Sequence, residues 1–210
     1  MINLFSRNIC TKLKNLNNNN SNERINMNKV LILYGTRWGS TEEIAQELAN
    51  ILNENDIEVD LINLETTKKR NYPSLDDYDG ILFGSGIKIK KWTKSARKFL
   101  KKYADELKAK QNALGIFVSC GDGGIPEKRE EAKKKYIKDM LDSYDINASM
   151  HEAFGGVIDL TEGSKMGKMS VKMMNLAAKD DPLLEANEKN DTRDWDRIKA
   201  FGRDFCRILN

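Results

Sequence analysis

The chain has 210 residues, 40% of them hydrophobic, which is enough for one sizeable buried core and too few for two domains of ordinary size. Its formal charge of +3 is the difference between 35 basic and 32 acidic side chains, so the overall balance gives no warrant for a nucleic-acid partner. A single histidine, His151, leaves too few ligands for a zinc site, and the three scattered cysteines, Cys10, Cys120 and Cys206, are read as free thiols of a reducing, cytoplasmic setting rather than a disulfide framework.

Residues 1–26, "MINLFSRNICTKLKNLNNNNSNERIN", carry an asparagine run and no carboxylate before Glu23. This composition predicts a disordered extension. A targeting or membrane-surface helix is the alternative, because Ile2, Phe5, Ile9, Leu13 and Leu16 stand at helical spacing among Arg7, Lys12 and Lys14. The folded domain is taken as 27–210. No apolar run in it approaches the ~20 residues that a membrane-spanning helix needs, so the body is read as soluble.

From Met27 onward strand and helix patterns alternate. Strands are predicted at 29–35 (KVLILYG), 57–64 (IEVDLINL), 80–87 (GILFGSGI), 113–120 (ALGIFVSC) and 151–159 (HEAFGGVID). Between them run amphipathic stripes: Ile44, Ala45, Leu48, Ile51 and Leu52; then Ala96, Phe99, Leu100, Tyr103, Ala104 and Leu107; and finally Trp195, Ile198, Phe201, Phe205 and Ile208. Such alternation implies an α/β fold with a doubly wound, five-stranded parallel sheet. Ligands of such sheets bind beyond the carboxyl ends of the strands.

The loop after the first strand, "GTRWGST", has glycines for a tight path and three hydroxyls just before a helix N-terminus, a nest suited to phosphate. Neither the Walker pattern nor the dinucleotide G-x-G-x-x-G is present. The other reading makes Ser40 and Glu43 a capping box and nothing more. "GSGIKIKKW" and "SCGDGGIP" follow the third and fourth strands with small residues able to approach a flat ligand, and Trp92 is expected as an aromatic wall. Cys120 has no base nearby in sequence and is read as an inert small hydrophobe, and His151 falls at the wrong end of its strand for the site.

With these residues in view the chain resembles the flavodoxins, whose phosphate loop T/S-x-T-G-x-T is matched by "TRWGST" with Gly39 and Thr41 in register and Trp38 standing where a hydroxyl is usual. It is most similar to the menaquinone-dependent protoporphyrinogen oxidase type, through Thr36 to Thr41, "SGIKI", "PEKR" (126–129) and "DTR" (191–193) before a Trp-led helix. The resemblance implies a flavodoxin-like sheet of strand order 2-1-3-4-5 and FMN as cofactor. It implies Thr36, Arg37, Gly39, Ser40 and Thr41 around the phosphate, with Trp38 in the same cofactor-binding loop. Ser85, Gly86 and Ile87 would lie beside the ring on one flank, and Ser119, Cys120, Gly121, Asp122 and Gly123 on the other. Asp122 would disfavour full reduction, or is simply a turn residue.

The insert at about 161–193 repeats Met166, Met169 and Met173 along one side and Lys165, Lys168, Lys172 and Lys179 along another. It is expected either to meet a membrane surface or bulky substrate, or to cover a sheet face with its lysines in water. The lysine-rich stretch 90–110 is either simply wet or a surface for an acidic redox partner. Three functions follow: an FMN-dependent oxidoreductase passing electrons from a reduced organic substrate, a protoporphyrinogen among them, to a quinone; a carrier between protein redox partners; or a flavin-free scaffold.

Overall fold

The computed structural model describes residues 28–178 and 184–209; the predicted extension 1–26, Cys10 and Lys179 lie outside them. Five parallel strands form the central sheet: β1 Lys29–Gly35, β2 Glu58–Asn63, β3 Gly80–Lys88, β5 Leu114–Ser119 and β6 Met150–Phe154, in the order β2-β1-β3-β5-β6. This is the expected flavodoxin-like order, with the short β4, Lys91–Trp92, added as a hairpin arm on β3. Val30 to Leu33 are all fully buried, because a parallel strand covered on both faces must be apolar at every position.

Alternate side chains of β1 serve two cores. Leu31 and Leu33 join Ile81, Phe83 and Ile116 on one face, packed by helix α2 (Lys94–Lys102), helix α3 (Ala104–Ala109) and the run of helix α4 (Arg129–Lys133), a π turn and helix α5 (Asp139–Asp142). Val30 and Ile32 join Leu82 and Phe117 on the other, covered by helix α1 (Ser40–Asn53) and the last helix, Trp195–Leu209. The predicted stripe of α1 is buried throughout, and Ile198, Phe201 and Phe205 hold the last helix to the sheet.

Three expectations change. The strand foreseen at 151–159 breaks at Gly155–Gly156: β6 ends at Phe154, and β7, Val157–Asp159, pairs antiparallel with β8, Lys189–Asp191, in a separate small sheet. A Cβ on Gly155 would sit 2.1 Å from the Thr192 carbonyl oxygen, so the chain turns where only glycine admits the returning strand. The cationic helical stretch divides at Tyr103 into α2 and α3. Trp92 is 1% exposed, packs edge-on to Phe83 and donates its indole N–H to the Tyr136 carbonyl at 2.6 Å; it is core rather than an aromatic wall.

Within the insert, helix α6 spans Lys168–Ala177, and the last helix is accordingly α7. Its inward side is Val171, with Asn175 donating to the Leu160 carbonyl at 3.0 Å. Met169, Met173 and Leu176 face outward, 74%, 67% and 67% exposed, beside the exposed Lys168 and Lys172.

Candidate functional site

The corner after β1 is shaped by one glycine. Gly39 has φ 104°, a left-handed conformation that side chains resist, and it occupies the N-cap of α1 with no side chain capping that end. The alternative of a Ser40–Glu43 capping box is therefore not what forms. The Gly39 amide donates to Thr36 Oγ1 at 3.0 Å, which closes the turn and leaves the Thr36 hydroxyl proton free to donate. The first-turn amides of α1 have no intrahelical acceptor, and the helix dipole makes this end positive. Thr41 is 1% exposed and its Oγ1 has no hydrogen-bond partner within the protein. A buried hydroxyl without a partner costs about 1–3 kcal/mol, so its acceptor is to be sought in a ligand.

Two carboxylates in that first turn, Glu42 and Glu43, would repel an anion if left free. Both are engaged. Tyr34 donates its phenol to Glu42 at 2.9 Å, and Arg193 meets Glu43 at 2.7 Å while gripping Asp191 through Nε and Nη2 at 2.8 and 2.5 Å. The Arg193 side chain is 4% exposed and lies over Trp195, 4.4 Å from the ring centre, so β8 and the start of α7 lock the mouth of the phosphate corner.

The other strand ends close on this corner. A Cβ on Gly86 would stand 3.0 Å from Thr41 Oγ1, so the absence of a side chain lets the β3 end pass over the hydroxyl. Ser119 donates to the Gly155 carbonyl at 3.0 Å and lies 3.2 Å from Ser40 Oγ, which therefore donates to it. Trp38, displaced from the pattern of hydroxyls, carries Lys88 4.7 Å above its ring and becomes the aromatic side chain of the site. At the β3–β4 turn Ile89 and Lys90 take φ of 48° and 59°, and Ile89 is 82% exposed.

A cavity of about 70 Å³ forms between these ends, lined by Arg37, Trp38, Ser40, Thr41, Gly86, Ile87, Ser119, Cys120 and Gly121 from the predicted set. Thr36 and Gly39 shape its loop from behind. Ser85 does not line it: fully buried, it donates to the Gly86 carbonyl at 3.2 Å and accepts the Thr93 amide at 3.0 Å. Asp122 accepts the Tyr136 hydroxyl at 3.0 Å, and Gly123 is pressed against the Phe154 carbonyl, 2.3 Å from where a Cβ would be. Burial pushes the Cys120 thiol up to about 12, which leaves no thiolate for nucleophilic chemistry near neutral pH.

Three lining residues, Gly156, Val157 and Ile158, were absent from the predicted set. The paired glycines inside an apolar run were the available signal. Thr192 holds them by accepting the Gly156 amide at 3.1 Å and donating its own amide to the Gly156 carbonyl at 3.0 Å. Next to this cavity, sharing Trp38 and Val157, is a second one of about 240 Å³ whose walls include Glu43, Asp159, Lys165, Met166 and Lys189. Among the described residues there is no metal-holding group of histidine, cysteine and carboxylate side chains, and no helix is long and apolar enough to cross a membrane.

Residues 31–183 match the family model described as Flavodoxin domain. The protoporphyrinogen IX dehydrogenase [quinone] of Escherichia coli K12 is 25% identical over 189 residues, covering 87% of this chain and 97% of that protein. In fold, the chain is similar to the rubredoxin oxygen:oxidoreductase of Desulfovibrio gigas (TM-score 0.52, 16% identity, 87% of this chain and 36% of that one) and to a flavodiiron core from Synechocystis (TM-score 0.51, 16% identity, 94% and 40%). The chain belongs to the flavodoxin domain family.

Its cofactor is FMN, an oxidoreductase group whose dianionic phosphate needs donors and whose flat ring needs a slot. The residues present fit it. The unpartnered Thr41 hydroxyl lines the slot beside the N-terminus of α1, where a phosphate would find donors, and glycines at 86, 121 and 156 keep the slot open.

Proposed function

We propose that this flavodoxin-domain oxidoreductase takes electrons from a reduced organic substrate, a protoporphyrinogen being the favoured candidate, and delivers them to a quinone. The observation that carries this reading is the 240 Å³ cavity beside the cofactor slot. A carrier that only meets other proteins needs an exposed cofactor edge; a cavity adjoining the slot gives part of a small-molecule substrate walls to lie against. The E. coli relative, named for protoporphyrinogen and quinone, spans nearly the same length and supports the assignment.

FMN, when bound, supplies the capacity to accept two electrons and pass them on. The chain does the rest. Thr36, Thr41 and the α1 amides would hold the phosphate, and Trp38 and Ile87 would cover the slot; Lys165 and Lys189 set two cations in the adjoining wall, where substrate carboxylates would gain charge-assisted hydrogen bonds. Asp159 and Glu43 in the same wall limit that attraction. The exposed Met169, Met173 and Leu176, flanked by Lys168 and Lys172, give α6 the apolar-plus-cationic character of a peripheral contact with anionic lipid, where a quinone would be met by a cytoplasmic enzyme.

A second reading, a carrier serving protein partners, is favoured by the exposed Arg97 and Lys101 of α2, which would steer an acidic protein. Anaerobic mixing of the FMN-loaded protein with protoporphyrinogen, followed by a soluble menaquinone analogue, separates the two. Bleaching and return of the flavin absorbance faster than with free FMN is expected. Rates equal to those of free FMN overturn the oxidoreductase reading at substrate level and leave the carrier.

A further inference from the structure

Sharing no lining residue with the flavin slot, a larger cleft of about 360 Å³ lies between the segment after β2 and helix α2. Its floor is aromatic. Tyr72 meets Phe99 edge-on with ring centres 5.6 Å apart, and Phe99 stacks on Tyr103 at 4.5 Å. Its rim is cationic: Lys68 and Lys69 come from one segment, Lys94, Lys98 and Lys102 from the other.

Among the described residues none of these five lysines forms a salt bridge. Lys102 is held over the Tyr103 ring at 4.7 Å and donates to its hydroxyl at 3.1 Å. The single carboxylate of the wall, Glu65, is occupied by the Ser95 hydroxyl at 2.6 Å. Lysines spread over a convex helix face disperse their charge into water. Here five exposed lysines from two segments are gathered round the rim of one cleft, a positive edge to which an anion would be drawn.

The floor narrows the choice of anion. Inorganic phosphate would leave the rings idle, and a flat apolar body would cover them. The volume falls within the range of small-ligand pockets, where an extended acidic protein segment would instead run over the rim. We propose that this cleft binds a nucleoside di- or triphosphate, its base against Tyr72 and its phosphates among the five lysines. The site stands independently of the redox assignment.

The test is calorimetric titration of the FMN-loaded full chain with ADP, pyrophosphate, adenosine and an oligoglutamate peptide, with flavin fluorescence followed throughout. ADP is expected to bind in one equivalent without releasing FMN, more weakly as salt is raised. Adenosine and pyrophosphate should each bind more weakly than ADP. Lys94→Ala combined with Lys98→Ala should weaken ADP at least about tenfold, and Tyr72→Leu about threefold or more, with FMN affinity unchanged in both. The proposal is overturned by ADP that does not bind, that binds only as FMN leaves, that is indifferent to the lysine pair, or that binds no better than pyrophosphate. Preference for the oligoglutamate would make the cleft a protein-docking surface and equally overturn it.

Discussion

Replacing Thr41 with valine tests the phosphate corner with two effects of opposite sign. The two side chains are nearly isosteric, so the exchange removes the hydroxyl and little else. In the protein without cofactor, Oγ1 is buried and unpartnered, and deleting it removes a desolvation penalty of about 1–3 kcal/mol. The apo protein should therefore become more stable, by about 1 kcal/mol once some relaxation in the parent is allowed for. With FMN the balance reverses, since a hydroxyl donating to a charged phosphate is worth about 1.5–3 kcal/mol. The dissociation constant should rise by roughly tenfold to a hundredfold. Urea unfolding of the apo forms reads the first effect, and flavin fluorescence titration the second. A Thr41→Val protein that binds FMN as tightly as the parent would mean that the hydroxyl points at nothing, and that the corner holds its ligand in some other way.

Cys120 should react with iodoacetamide far more slowly than unfolded protein at pH 8, as mapped by mass spectrometry, because burial holds its thiol neutral. The folded pKa lies above the unfolded one, so the neutral thiol adds stability that is fully present below about pH 9 and drains away as pH rises toward about 12; Cys120→Ala should flatten that alkaline loss in denaturation curves. At the β3–β4 turn, two non-glycine residues with positive φ carry strain, of which the β-branched Ile89 bears more. Exchanging Ile89→Asn and Lys90→Gly, the residues this turn favours, should raise stability by about 1–2 kcal/mol in urea unfolding, and a loss would refute the strained-turn description.

Much was legible in the residues alone. Short, β-branched apolar runs bounded by turn residues fit strands buried on both faces, and the stripes of α1 and α7 have the period of helices lying on a sheet, so the doubly wound fold and the loops that bear the site followed from local chemistry. The "TRWGST" corner was likewise readable, because a positive-φ glycine before a helix start is a local backbone demand. Side-chain direction at the strand ends was not. Trp92 turns into the core and Trp38 into the site, Ser85 spends its hydroxyl on Thr93, and Gly155–Gly156 break a run that reads as one strand. The same holds for Arg193 on Glu43, and for lysines 68 and 69 facing 94, 98 and 102 across an aromatic floor. Periodicity encodes which face of an element is apolar. Which distant segment that face meets, and where its polar groups find partners, depends on register and close packing, which exist only once the whole chain has folded.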